Sequence, residues 1–117
     1  MALGSAVARL TDIVEAIELI CSEMDGVSLT AFAPDRRRQW LVERGIEIIC
    51  EASRRLLAEL KARHAHIAWA KVAGIGNVLR HDYEHVAYDL LWRIVRDELP
   101  VLDKVCREEL SAAMGRD

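Results

Sequence analysis

The chain has 117 residues, of which 52% are apolar and 30% charged, which is enough for one packed core beneath a well-solvated surface. The length predicts a single domain over residues 1–117. The net charge of −3 excludes a grip on nucleic acid through overall charge, so any such contact would rest on a local patch. Without a long uncharged apolar run or a signal-like N-terminus, we expect a cytoplasmic protein with no membrane contact.

The three cysteines, Cys21, Cys50 and Cys106, are far apart and lie in stretches with helical apolar periodicity. An odd number of cysteines without a CxxC pair favours neither a disulfide framework nor a thiolate zinc site. We therefore expect three buried free thiols.

The first predicted helix runs from about Ser5 to Met24, because apolar residues recur there at three- and four-residue spacing. Asp25-Gly26 is predicted to end this helix. Ser28 follows as a predicted cap for a short helical turn that carries Leu29 and Phe32.

A long second helix is predicted from Pro34, which a first helical turn tolerates, to about Ala62. Its apolar stripe is wide, so we expect burial on more than one side, by the rest of the core or by a second subunit. The stripe consists of Leu41, Val42, Ile46, Ile48, Ile49, Ala52, Leu56 and Leu60.

The segment His64-Ala65-His66 is predicted to connect to a third helix from about Ile67 to Leu79, and a fourth helix covers about Val86 to Arg96. Asp97-Glu98-Leu99-Pro100 is predicted to restart a last helix that ends near Met114-Gly115. The fold class is therefore all-α, and we expect an antiparallel four-helix bundle with a short extra helix.

Two glycines, Gly74 and Gly76, lie inside the third predicted helix, where each costs about 1 kcal/mol relative to alanine. Such a cost suggests that a helix, a second subunit or a ligand approaches the backbone closely. Tight packing of one helix against another explains the glycines equally well, so both interpretations stay open here.

Asn77 and His81 are four residues apart and share a helical face, about 40° from each other around the axis. An amide beside an imidazole can fix the orientation and tautomer of the ring, and such a histidine can act as a general acid or base near neutral pH. The alternative is a structural histidine at a helix end. Arg80 and Tyr83 lie close in sequence and would extend a polar cluster.

This order of residues resembles the motif of HepT-like domains in the HEPN superfamily. In that motif an arginine, a polar residue that is usually asparagine, three further residues, a histidine, one residue and a tyrosine follow each other. Asn77, His81 and Tyr83 match the polar residue, the histidine and the tyrosine. Gly76 stands where the arginine belongs.

The flanks carry the same resemblance. Residues 45–52 are similar to the family's signature in its second helix, residues 69–74 to the run before the motif, and residues 86–100 to the segment after it. The resemblance spans about Leu10 to Leu110, most of the chain.

The resemblance implies a helical homodimer, or a higher oligomer, whose motif helices meet at the interface and line one cleft. Active members cleave RNA without a metal or cofactor, and the motif histidine and arginine act on the ribose 2′-hydroxyl and the scissile phosphate. His81 would then be the catalytic group and Asn77 the group that orients it. Many members are toxins encoded beside an MntA-like nucleotidyltransferase antitoxin that attaches AMP to the motif tyrosine, here Tyr83.

The glycine at position 76 weakens the expected activity, because an arginine offers a charged planar fork for phosphate and glycine offers nothing. Arg80 is the predicted substitute, although a regular helix turns it about 100° away from His81. The Arg36-Arg37-Arg38 triplet is the other source of charge, unless it is only a solvated first turn. The alternative function is a non-catalytic HEPN dimer that binds a nucleotidyltransferase partner or nucleotide.

A metal site is the remaining alternative. His81 and His85 have the four-residue spacing that grips zinc on one helical face, and His64 or His66 would add a ligand. No cysteine is spaced to join them and no ExxH pattern occurs, so we predict no metal. The tryptophans Trp40, Trp69 and Trp92 are expected to be core or interface anchors rather than platforms for stacked bases.

Overall fold

Every regular element is helical in the part of the chain that this computed structural model describes, residues 2–81 and 88–115. Side chains are described for residues 6–77 and 88–115. The all-α prediction is confirmed there. The elements are α1 (Ala2–Met24), α2 (Leu29–Phe32), α3 (Arg36–Arg54), α4 (Ala58–Ala62), α5 (Trp69–His81), α6 (Tyr88–Arg93), a π-helical turn (Ile94–Glu98) and α7 (Leu99–Met114).

The turn between α1 and α2 forms as the sequence predicts. Gly26 has a φ of 72°, which is the left-handed conformation that glycine adopts without strain. The Ser28 hydroxyl accepts a hydrogen bond from the Ala31 backbone N–H at 3.1 Å and so caps α2. Phe32 then inserts into the core and is fully buried.

The long second helix begins later and ends earlier than its sequence pattern predicts. Asp35, rather than Pro34, precedes the first turn, and its carboxylate accepts a hydrogen bond from the Arg38 N–H at 3.1 Å. The predicted continuation to Ala62 is wrong, because α3 ends at Arg54. Ser53 Oγ donates to the Cys50 carbonyl at 2.9 Å, a contact that competes with the helical hydrogen bonds, and Leu57 is extended before α4 begins.

The predicted break at residues 97–100 is also wrong, because the backbone stays helical from Tyr88 to Met114. Pro100 has no N–H to donate to the preceding turn. A π-helical turn accommodates it: the Leu99 N–H donates to the Ile94 carbonyl, five residues back.

Helix α1 packs against both α3 and α7, and α3 packs against α5; most of the buried side chains come from α1, α3, α7 and the helical run that begins with α6. Gly45 on α3 permits the closest approach, because a Cβ built there would lie 2.5 Å from Ile20 Cδ1 on α1. Most of the apolar residues predicted for the first two long helices are buried, although Leu41 and Ile48 are only partly so. The buried residues include Leu10, Ile13, Ile17, Ile20, Val42, Ile46 and Ile49, and later in the chain Leu91, Leu99, Leu102 and Val105. The antiparallel course of these helices, their pairing into dimers and the single-domain boundary remain predictions.

Two tryptophans anchor connections, as expected. Trp92 Nε1 donates to the Val27 carbonyl at 3.0 Å, and Trp69 Nε1 donates to the carbonyls of Lys61 and His64 at 3.0 and 3.1 Å. Trp40 is different: its side chain is 61% exposed on α3, so it does not anchor the core of the chain, and an interface role for it stays a prediction. None of the helices in the described ranges has the length and apolarity needed to cross a bilayer.

The thiols divide in a similar way. Cys50 and Cys106 are buried, whereas Cys21 is exposed on α1, which corrects the expectation of three buried thiols. All three are free. Burial, followed by the negative charges of Asp103 and Glu109, raises the pKa of Cys106 to about 12.

Candidate active site

Helix α5 carries most of the motif on one uninterrupted helical backbone, Trp69–His81. Positions 74 and 81 are about 20° apart around the axis, and position 77 lies about 40° from position 81. Asn77 is exposed. The helix thus presents Gly74, Asn77 and His81 along a single stripe.

The first half of α5 is held firmly against α3. Arg54 donates to the Ala73 carbonyl at 2.7 Å, and the Cys50 thiol donates to the Val72 carbonyl at 3.0 Å. Together with the two hydrogen bonds of Trp69, these contacts fix the direction in which the motif leaves the bundle.

An open cleft of about 590 Å³ lies beside this stripe, between α5 and the helical run that begins with α6. Apolar side chains and both signs of charge line it. Its lining residues are Lys71, Gly74, Ile75, Leu90, Arg93, Ile94, Asp97 and Glu98. A cleft with apolar walls and a few charged groups is the usual form of a ligand site.

The cations of the cleft are exposed and weakly engaged. Lys71 Nζ lies 3.2 Å from Glu98 Oε1 and so links α5 to the π-helical turn. Arg93 lies 3.9 Å from the Asp89 carboxylate. Sequence reasoning missed both cations, although the three-residue step from Lys71 to Gly74 was a signal that Lys71 lies on the same side of the helix as the motif.

Gly74 lines this cleft, and no described side chain packs against it. A Cβ built on Gly74 would meet no described atom within 4 Å, so packing among the described residues does not account for this glycine. Gly76, in contrast, is buried. Both interpretations that the sequence left open therefore stay open at Gly74.

The structure describes the remaining predicted site residues only in part. Arg80 and His81 belong to α5, but their side chains lie outside the described residues, as do Tyr83 and His85 entirely. The described part of α5 ends at His81, so the use of Arg80 as a substitute cation stays a prediction. Within the described residues no three histidine, cysteine or acidic side chains converge as metal ligands, and the pairing of His81 with His85 stays untested.

His64, in the predicted connection before α5, has a structural role. His64 Nε2 lies 2.7 Å from Glu109 Oε2, and Arg63 donates to both oxygens of the same carboxylate at 2.7 and 3.1 Å. The Arg63 hydrogen bond, opposed by burial and supported by His64, lowers the pKa of Glu109. This cluster fastens the segment before α5 to α7.

Comparison with known proteins agrees with this geometry. The family model for "Ribonuclease HepT-like" matches residues 13–109, which include α5, the cleft and nearly all of the core. The chain belongs to the HepT-like ribonuclease family. The matched range includes the three α5 residues that line the cleft, Lys71, Gly74 and Ile75.

Several curated HepT-like relatives cover most of both sequences. "Probable ribonuclease HepT" of Thermococcus cleftensis is 37% identical over 80% of this chain and 84% of its own. "Putative RNase TTE0752" of Caldanaerobacter subterraneus is 31% identical over 86% and 90%. "Putative RNase MJ1380" of Methanocaldococcus jannaschii is 30% identical over 83% and 89%. No solved structure matches significantly.

Proposed function

We propose that this chain is a metal-independent endoribonuclease, acting as the toxin of a HepT-type toxin–antitoxin pair. The observation that supports the proposal is that α5, the helix that includes Asn77 and His81, lines an open cleft with Lys71, Gly74 and Ile75. Membership of the ribonuclease family gives the reaction class.

The chemistry needs a base, an acid and a stabiliser of charge. His81 takes the proton from a ribose 2′-hydroxyl, and the 2′-oxygen attacks the adjacent phosphorus. The bond from phosphorus to the 5′-oxygen breaks, and that oxygen receives a proton as it leaves. The products are a 2′,3′-cyclic phosphate and a 5′-hydroxyl, and the reaction as written requires no metal or cofactor.

Asn77 serves as the orienting group in this scheme. Its position one helical turn before His81 allows its amide to hold one ring nitrogen, which leaves the other to exchange the proton. A dimer would bring two α5 helices together, so that two copies of the motif share one cleft. The absence of any described atom over Gly74 supports an approach of a second subunit or a substrate there.

Arg80 is the substitute for the arginine missing at position 76. Within one α5 it lies a quarter-turn from His81. Across a dimer interface it can face the histidine of the other subunit, where its guanidinium would stabilise charge on the phosphoryl oxygens. Replacing one such donor typically costs about 10²–10³-fold in rate, which is the loss we expect for Arg80→Gln.

The partner in this scheme is a nucleotidyltransferase antitoxin that transfers AMP to Tyr83. AMP on a residue two positions after His81 would place a bulky anion at the entrance to the motif and so prevent RNA from binding. The proposed catalytic histidine and the tyrosine whose modification would inactivate the toxin then both lie within residues 74–83.

The direct test compares three proteins on total RNA and on tRNA. Wild type and His66→Ala, an exposed histidine outside the motif, should cleave alike, whereas His81→Ala should be slower by about 10²–10⁴-fold. Cleavage that survives in His81→Ala would contradict the proposed role.

The rival function is the non-catalytic dimer that binds a nucleotidyltransferase or nucleotide, and Gly76 is the observation that favours it. A wild-type protein that leaves all RNA intact, yet forms a dimer and a stable complex with the antitoxin, would decide for that alternative.

A further inference from the structure

The N-terminal turn of α3 breaks a rule of helix stability. Its first three residues, Arg36, Arg37 and Arg38, are all cations, and the turn contains no acid. Positive side chains oppose the positive end of the helix dipole, at a cost of some tenths of a kcal/mol each. A local conflict of this kind is expected where the residues serve a function rather than the fold.

One of the three arginines has a structural explanation. Arg38 donates to the Glu23 carbonyl at 2.9 Å near the end of α1 and pairs with Asp35 at 2.6 Å. It therefore fastens the start of α3 to α1. Arg36 and Arg37 are exposed, and neither forms an ion pair with any acid in the described residues.

Trp40 lies on the same face one turn further along. Its ring is 61% exposed, and the guanidinium of Arg36 lies 5.7 Å from the ring centroid. Arg44 is exposed one turn beyond and pairs only loosely with Glu47, at 3.5 Å. The surface of Arg36, Arg37, Trp40 and Arg44, here called the Trp40 patch, thus interleaves an open aromatic ring with cations.

The turn that carries the Trp40 patch is attached to α2. Gln39 donates to the carbonyls of Phe32 and Ala33 at 2.9 and 2.8 Å, which holds the start of α3 against α2.

We propose that the Trp40 patch is a binding site for single-stranded RNA, separate from the motif cleft. An unpaired base stacks on the Trp40 ring while neighbouring phosphates contact Arg36 and Arg37. With a net charge of −3, the chain needs such a local patch to hold a polyanion. The inference rests on RNA as the proposed substrate.

The patch also explains how a cleft with balanced charges could act on RNA. Among the described residues, two cations and two acids line the motif cleft, and these supply little net attraction for a phosphate chain. Capture at a second site on α3 would raise the local concentration of RNA around the motif helix. The α3 helix packs directly against α5, so both sites belong to one rigid pair of helices.

The test measures binding of a 12-nucleotide single-stranded RNA in which every ribose is 2′-O-methylated, so that it cannot be cleaved. Trp40→Ala should weaken binding by roughly 5- to 100-fold, the range expected for the loss of one stacked base, and Trp40→Phe should restore most of it. The Arg36→Gln, Arg37→Gln double variant should reduce the slope of log affinity against log salt by about 1.4, or about 0.7 for each lost phosphate contact.

Matched controls lie just beyond the C-terminal end of α3. Leu57→Ala removes another exposed apolar side chain. Arg55→Gln removes an exposed arginine about 20 Å from Trp40 along the helix axis, and neither variant should change the affinity. Sedimentation and circular dichroism of every variant report assembly and folding.

Weaker RNA binding by Trp40→Ala at unchanged sedimentation supports the site. Unchanged binding, or a loss that occurs only together with dissociation of the oligomer, overturns it and assigns Trp40 to a protein interface. Because the probe is uncleavable, failure of the proposed ribonuclease activity would appear only in the His81→Ala cleavage assay, and the two failures are distinguishable.

Discussion

Nε2 of His64 lies 2.7 Å from Oε2 of Glu109, and both side chains are largely buried, with exposed fractions of 13% and 14%. The contact joins the segment immediately before α5 to α7. Arg63 binds the same carboxylate from the solvent side. Glu109 therefore holds the start of the helix that carries the motif.

Glu109→Gln should reduce the free energy of unfolding by about 1 kcal/mol at pH 7, a modest value because Arg63 is more than half exposed. The hydrogen bond from Arg63 lowers the pKa of Glu109, so its contribution is fully present above the ordinary glutamate pKa. That contribution is lost as the pH falls through the lowered pKa. Urea unfolding from pH 7 down to pH 3 measures this trend.

The neighbouring Glu108→Gln is the matched control, because Glu108 is exposed. It should leave stability within about 0.5 kcal/mol of wild type at both ends of the pH range. Equal losses for the two variants would show that the Glu109 cluster has no special role.

Two glycines on neighbouring helices should respond in opposite ways to the same substitution. Gly74→Ala should stabilise the fold by about 0.5–1 kcal/mol, because its Cβ meets no described atom. Gly45→Ala should destabilise it by about 1–3 kcal/mol, because the new Cβ would lie 2.5 Å from the buried Ile20 side chain. Denaturant titrations of both variants measure the difference.

A destabilised Gly74→Ala would mean that this glycine is already packed in the free protein, and the open side of α5 would then need another explanation. If Gly74→Ala is stable but cleaves RNA poorly, that result supports a close contact of the substrate or a second subunit with α5 at this position.

The three thiols should separate by reactivity. In the folded protein one thiol, Cys21, should react readily with a thiol reagent, and Cys50 and Cys106 should react only after unfolding. Burial and then Asp103 raise the pKa of Cys21, so its rate should keep increasing at pH values above the ordinary thiol range. Counting modified thiols by intact mass checks this, and a native Cys21→Ser variant that still reacts rapidly would contradict it.

Tyr83 should gain mass when the chain is co-expressed with its nucleotidyltransferase. We expect increments of one or more AMP units in the intact mass and none in Tyr83→Phe, while Tyr88→Phe, an exposed tyrosine on α6, should be modified like wild type. Equal modification of the Tyr83→Phe variant would place the acceptor elsewhere.

Much of the fold could be predicted because its signals are local. The stripe on α1 and the cap at Ser28 each depend on residues within a turn or two of each other. The end of α3 could not be predicted in this way, since no glycine or proline marks it and the break accompanies a side-chain hydrogen bond of Ser53. Pro100 was a true signal, but a π-helical turn rather than a break accommodates it.

The candidate site was only partly predictable for a related reason. The motif positions on α5 are consecutive in sequence, but Lys71 and Arg93 meet in one cleft only through the packing of distant helices. The exposure of Trp40 did have a signal: Arg36 and Arg44 lie four residues to either side and mark a polar face. Apolar character alone suggested an anchor, and the charged neighbours outweigh it.

The ends of the RNA fragments test the central claim most directly. Wild type should cleave total RNA in the presence of EDTA and leave 2′,3′-cyclic phosphate and 5′-hydroxyl ends, and His81→Ala should produce none of these ends above background. Intact RNA with wild type, cleavage that requires added metal, or the same fragments from His81→Ala would contradict the account.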